Sequence, residues 1–172
     1  MQVGDKLLHG CSGCGYFNKS QGNQCVFKDD AVNETAARMR EADGIILASP
    51  TYFGGIAGTT KAFLDRVFFS SRAYFRYKVA TAVSVVRRAG GVDVYRQLQN
   101  YLELSETIMP PSQYWMTVFG LSEGEVLQDK EGIQTVRKNA RAMAWQLKVI
   151  DAGKQAVPAP QAEEKIQTNF IR

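Results

Sequence analysis

Residues 42–69, ADGIILASPTYFGGIAGTTKAFLDRVFF, constrain the fold more than any other part of the chain. They predict a short strand, a loop punctuated by Pro and Gly, and an amphipathic helix. Gly44–Ala48 is a compact apolar run of the kind a parallel strand covered on both faces shows. Ser49-Pro50-Thr51-Tyr52-Phe53-Gly54-Gly55 follows at once and reads as a loop. Pro50 has no N–H to give to a sheet ladder, and the two glycines reach dihedrals closed to other residues. From Thr59 onward Phe63, Val67 and Phe68 recur at helical spacing, while Lys61, Asp65 and Arg66 fall on other faces. A loop at the carboxyl end of a parallel strand, leading into a helix, is where open α/β sheets bind ligands. Two aromatics, hydroxyls and close-approach glycines suit a flat ring system with polar edges. A structural turn with buried aromatics accounts for the same pattern equally well.

The rest of the chain alternates in the same way. Asn33–Glu41 reads as a short helix with Asp29 or Asp30 as a cap, and Lys78–Val86 as a second buried strand. Arg87-Arg88-Ala89-Gly90-Gly91 is a loop. Val92–Thr107 places Tyr95, Leu98 and Leu102 on one helical face, with Pro110 and Pro111 as the stop. Gln113–Gly120 reads as the last strand. Lys130–Ile150 is the longest helix, with Ile133, Val136, Ala140, Met143, Leu147 and Ile150 as its buried stripe. Strands alternating with helices predict an α/β fold with a doubly wound parallel sheet in three layers, α/β/α. One domain over residues 1–150 and an extended tail over 151–172 are expected.

SPTYFGG followed by the T-K-A-F-L-D-R helix resembles the flavin loop of flavodoxin-like NAD(P)H-dependent FMN reductases, a group that includes the iron–sulfur flavoproteins. The resemblance extends to CSGCGYFNKSQGNQCVFKDD before that block and VSVVRRAGGVDV after it. It implies bound FMN, NAD(P)H as cosubstrate and transfer of electrons to a small-molecule acceptor such as a quinone or free flavin. The implied cofactor-binding residues are Ser49, Pro50, Thr51, Tyr52, Phe53 and Gly54, joined by Arg88, Ala89, Gly90 and Gly91 after the next strand. Backbone N–H groups of the first loop would serve the ring's polar edge. Arg87 or Arg88 would offset charge developing on its pyrimidine side. A glycine turn with exposed arginines accounts for the second loop as well. No side chain is expected to act as a proton-transfer catalyst, because flavin hydride chemistry needs none.

Against that family the sequence shows no strand and Gly/Ser-rich phosphate loop before Cys11, so the fold is expected to be incomplete at its amino end. A sheet without its central first strand leaves Ile45, Ile46, Val83 and Val85 poorly covered, and a homodimer or homotetramer is expected. A non-catalytic flavodoxin-like subunit is a further reading. The three cysteines, Cys11, Cys14 and Cys25, stand one short of the four that an iron–sulfur flavoprotein uses; Phe17 occupies the remaining position. His9 is the only other nearby donor of that kind, and Cys₃His is a known zinc set. No metal is the expected state, with an electron carrier holding an iron–sulfur cluster as the competing one.

An odd cysteine count and no apolar leader at MQVGDKLLHG predict a cytoplasmic protein without disulfides. No apolar run reaches the length of a membrane span. The formal charge of +4 is spread among 21 basic and 17 acidic residues, without the basic stripe of a nucleic-acid binder. Lys61, Asp65 and Arg66 read as a solvated or dimer-facing salt-bridge network.

Overall fold

A computed structural model of the chain describes residues 1–20, 23–168 and 170. The loop expected over 11–30 includes residues 21 and 22, and the tail expected over 151–172 includes 169, 171 and 172; these five lie outside the described residues. In chain order the elements are α1 (Tyr16–Lys19), α2 (Val32–Glu41), β1 (Gly44–Tyr52), β2 (Gly55–Ile56), α3 (Gly58–Ser71), β3 (Val79–Val86), α4 (Gly91–Glu103), β4 (Thr117–Phe119) and α5 (Lys130–Gly153). The sheet runs β2-β1-β3-β4. β1, β3 and β4 are parallel, with Gly44 opposite Val79 and Ser84 opposite Thr117. β2 folds back antiparallel on the end of β1.

Successive strand residues point to opposite faces. Ile45 and Leu47 of β1 are buried with Phe63, Leu64 and Val67 of α3 and Val94, Leu98 and Leu102 of α4. A β-carbon on Gly44 would lie 2.6 Å from Met143 of α5, so α5 crosses the other face. Helices therefore cover both faces of a mostly parallel sheet, the α/β arrangement that the alternation predicts. The N-cap of α2 is Ala31 rather than an aspartate; the Asp30 carboxylate, one residue earlier, accepts the Val32 N–H (3.0 Å). No helix among the described residues is long and apolar enough to cross a membrane.

Several local expectations are corrected. β1 is covered on one face rather than two: Ile46 is 64% exposed, and Ala48 and Pro50 are also exposed. The strand runs through Ser49 and Pro50 to Tyr52, into the segment expected as loop. Pro50 pairs opposite Val85, and over Gly44–Pro50 the other edge of β1 has no strand beside it among the described residues. A residue without an N–H costs nothing on an unpaired edge. Of the residues expected to be poorly covered, Ile46 is exposed and Val83 and Val85 are half-buried, whereas Ile45 is buried. The cysteine loop contains one helical turn, α1.

α4 ends at Glu103, well before the two prolines. Glu106 takes a positive φ of 56°, and the Ser105 and Thr107 hydroxyls donate back to the carbonyls of Tyr101 (2.7 Å) and Leu102 (3.0 Å). β4 is three residues long, not eight. The approach to it contains Pro110 and Pro111, which donate no N–H, and meets β3 at a Val79–Ile108 bridge before the ladder resumes with the Ser84 N–H on the Met116 carbonyl (2.9 Å). α5 runs to Gly153, so the tail begins later than expected. Its buried line is Gly132, Thr135, Asn139 and Met143; of the expected stripe only Met143 is buried. The shift has a physical cause. Gly132 lets the helix close on Val118, and the Asn139 amide donates to the Pro110 carbonyl (2.9 Å), so small and polar residues face the sheet.

Candidate functional site

β1 and β2 pair as Thr51 with Ile56 and Tyr52 with Gly55, leaving Phe53 and Gly54 as a two-residue turn. Both have positive φ, 50° and 74°, as the hairpin turn that matches strand twist requires. The predicted loop is thus a hairpin whose flanks, Ser49–Tyr52, are strand. Its aromatics are not buried: Tyr52 is 61% exposed and Phe53 stands wholly in solvent. A turn that served only to bury its aromatics would not present them this way.

The second predicted segment meets the first. Arg87, Arg88 and Ala89 are exposed after β3, and Gly90 turns the chain into α4 with φ 87°. A β-carbon on Gly90 would lie 3.1 Å from the Gly54 Cα and 3.2 Å from Thr51 Cγ2, so the two turns touch through their backbones. The Thr51 hydroxyl donates to the Val85 carbonyl (2.9 Å) and ties the hairpin to β3. Thr51, Tyr52, Phe53, Gly54, Arg88, Ala89 and Gly90 therefore share one rim at the carboxyl edge of the sheet. Ser49 and Gly91 lie behind it. The buried Ser49 hydroxyl accepts the Ala57 N–H at 3.1 Å and donates to the Pro50 carbonyl at 2.8 Å, fixing the start of α3. A β-carbon on Gly91 would meet Thr117 Cγ2 at 2.5 Å and Val86 Cγ1 at 2.9 Å. Pro50 faces the open side of β1.

The rim is open to a flat ring. Nothing lies within 4 Å of the β-carbon position of Gly54, so space is open beside the hairpin backbone. Exposed aromatics and the backbones of two turns meet there, beside the segment that carries the exposed Arg87 and Arg88. No residue described ahead of β1 forms a strand that leads into a phosphate-cradling turn.

Gln97, which the sequence reading does not single out, supports the hairpin from below: its side-chain oxygen accepts the Ile56 N–H at 3.3 Å. It borders a cavity of about 340 Å³ between α3 and α4. Lys61 and Asp65 on its wall form the expected pair at 2.7 Å, and the Tyr101 hydroxyl donates to Asp65. Burial, reinforced by Asp65, pushes the Tyr101 hydroxyl up to about 12. A polar residue one position before the buried Leu98 is a signal too common to have revealed Gln97.

Arg66 is corrected from solvated to fully buried. Its guanidinium forms an ion pair with Asp30, whose Oδ1 accepts from Nη2 at 3.1 Å, and donates to the carbonyls of His9 (3.2 Å) and Phe27 (3.3 Å) and to the Cys25 sulfur (3.1 Å). It is the anchor that ties His9, Cys25, Phe27 and Asp30 to α3. Cys11 and Cys14 are exposed and Cys25 is half-buried, all as free thiols. The Cys14 thiol is held below its ordinary range by the backbone N–H of Tyr16 and by Ser12. An iron–sulfur cubane does not fit here. It calls for four thiolates, and the sequence has three cysteines. They border a cavity of about 20 Å³, room for a single water. His9 is stacked on Phe27 with ring centroids 4.2 Å apart.

The family described as NADPH-dependent FMN reductase matches residues 1–121. A protein of Methanocaldococcus jannaschii named as an iron–sulfur flavoprotein is 34% identical over 158 residues, covering 87% of this chain and 80% of that protein. Among solved structures, the flavodoxin-type WrbA-like protein of Agrobacterium tumefaciens is 21% identical with a TM-score of 0.53, covering 69% of this chain and 78% of its own. RosB, solved with bound 8-demethyl-8-formylriboflavin-5'-phosphate, is 16% identical with a TM-score of 0.57, covering 84% of this chain and 68% of its own. At these identities the two structures speak to fold alone, and the fold is flavodoxin-like.

Proposed function

The chain belongs to the NADPH-dependent FMN reductase family, and from that membership we propose that it is an FMN-dependent oxidoreductase. In this reading NADH or NADPH would be the hydride donor, and a small-molecule acceptor such as a quinone or free flavin would receive the electrons. The observation that carries the proposal is the contact between Gly54 and Gly90, which joins two separate turns into one exposed, aromatic-bearing rim. FMN would supply the two-electron chemistry itself.

The chain's own residues bind and orient. The Phe53–Gly54 turn, fixed by two positive φ values, presents backbone to the ring edge without side-chain entropy to lose. Tyr52 and Phe53 offer apolar faces that exclude water from one side of the ring. Arg87 and Arg88 would offset negative charge on the pyrimidine side of a bound ring. Thr51 and Gln97 keep the hairpin in place through Val85 and Ile56. Self-association into a homodimer or homotetramer belongs to the same proposal. The open face of β1 that carries Ile46 supports it, since apolar surface of this kind favours covering.

Titration of the purified chain with FMN, followed by flavin fluorescence and visible absorbance, tests the reading. Binding is expected, with affinity at least tenfold weaker in Gly54→Val at unchanged circular dichroism. Equal affinity in a folded Gly54→Val protein removes the ring from this rim. Failure of the wild-type chain to bind FMN refutes the oxidoreductase reading and leaves a non-catalytic subunit.

A further inference from the structure

The cysteine loop is not used by the flavin reading, and it does not fit a cubane. Its sequence, Cys11-Ser12-Gly13-Cys14-Gly15, brackets Cys14 with two glycines in the left-handed region, φ 64° and 65°. Those dihedrals reverse the chain on both sides of Cys14, a conformation that a side chain at either position would oppose. Cys11 and Cys14 thereby border the same small cavity, and both remain exposed.

Cys25 borders the cavity as well but is immobilised. Its sulfur accepts from Arg66 Nε at 3.1 Å, its N–H donates to Asn33 at 2.8 Å, and its carbonyl accepts from Asn33 at 3.1 Å. Arg66 is itself locked by Asp30. Of the three thiols, two sit on an exposed, sharply turned Cys-x-x-Cys segment and one is pinned in the wall. The apolar side of the cavity is formed by Phe17 and Phe69, packed edge to face at 5.4 Å.

We propose that Cys11 and Cys14 are a dithiol–disulfide couple that reduces disulfide substrates, with Cys14 as the attacking sulfur. The Cys14 thiolate attacks one sulfur of the substrate disulfide. A mixed disulfide forms and the other substrate sulfur leaves as a thiolate, which takes a proton from water. Cys11 then loses its proton and attacks the Cys14 sulfur, and the second substrate sulfur leaves. The products are two substrate thiols and a Cys11–Cys14 disulfide, so two electrons pass from the protein dithiol to the substrate. Hydrogen bonds from the Tyr16 N–H and Ser12 favour Cys14 as the first nucleophile, and the exposure of both sulfurs gives the substrate access.

The test uses the full chain, reduced and desalted anaerobically, with a substoichiometric aromatic disulfide, 5,5'-dithiobis(2-nitrobenzoate), as probe. For each probe molecule consumed, the wild type is expected to release both aromatic thiolates. Peptide mapping should find a Cys11–Cys14 cross-link and no aromatic group on either residue. Cys11→Ser should release one thiolate and keep the other half of the probe on Cys14. Cys14→Ser should slow the first release by about tenfold or more, and Cys25→Ala should retain the two-thiolate reaction. Retention of probe on Cys11 or Cys14 in the wild type overturns the proposal, and that readout needs no variant to fold. Wild-type rates in Cys14→Ser overturn it too. Stoichiometric iron and sulfide held through these cysteines in anaerobically purified protein would also refute it, in favour of a cluster.

Discussion

Removing the carboxylate of Asp30 breaks the anchor of the cysteine loop, together with the bond to the Val32 N–H at the start of α2, worth about 1 kcal/mol. Arg66 has a fully buried side chain and Asp30 is 11% exposed, so Asp30→Ala leaves a guanidinium that cannot lose its proton in a site closed to water. Breaking a buried pair from one side costs about 3–5 kcal/mol, against about 0–1 kcal/mol for an exposed pair. Lys61→Ala is the matched control, because the Lys61–Asp65 pair lies on the same helix with Lys61 52% exposed. With a urea slope of about 2 kcal/mol per molar, Asp30→Ala should lower the unfolding midpoint by roughly 1.5–2.5 M. Lys61→Ala should move it by less than about 0.5 M. Adding Arg66→Met to Asp30→Ala should cost less than the sum of the single changes, by about 1–3 kcal/mol of coupling. Urea unfolding followed by circular dichroism reads the wild type, the three single variants and the double variant. An Asp30→Ala midpoint indistinguishable from that of Lys61→Ala would mean that the guanidinium is hydrated, and the anchoring argument would fail.

The remaining expectations concern the rim, the packing and one titration. Gly90→Val should destabilise the fold and abolish FMN binding together. Its φ of 87° disfavours a branched residue, and the new carbon would press on Gly54 and Thr51; thermal melts and flavin titration check both effects. Gly91→Ala should cost about 1–3 kcal/mol by overpacking, since its β-carbon would enter the space of Thr117 and Val86; urea unfolding with no loss beyond error would contradict that. Burial holds Tyr101 protonated to about 12. The unfolded chain gives up this proton first, near 10, so the associated stability is intact below pH 10 and is lost as pH rises toward 12. Ultraviolet titration of wild type and Tyr101→Phe should show the late-ionising tyrosine disappear in the variant.

What the residues determined by themselves is local and periodic. Alternating apolar runs specified parallel strands separated by helices. The SPTYFGG block, read through its family resemblance, marked the turn that the fold places at the carboxyl edge of the sheet. Gly54 and Gly90 were legible because left-handed backbone restricts residue choice along the chain itself. Contacts between distant segments were not legible, since nothing in a local pattern says what lies opposite. Arg66, set among charged neighbours on an amphipathic helix, reads as solvated; only the docking of His9, Cys25, Phe27 and Asp30 against α3 buries it. Pro50 looked like a strand breaker until the fold gave β1 an unpaired edge on which a missing N–H goes unused. The buried line of α5 fell on Gly132, Thr135 and Asn139 because close approach to β4 and to the Pro110 carbonyl outweighed the more apolar stripe beside it. Apolar periodicity ranks the faces of a helix by transfer from water, whereas tertiary structure selects the face whose shape and hydrogen bonds match the partner it meets.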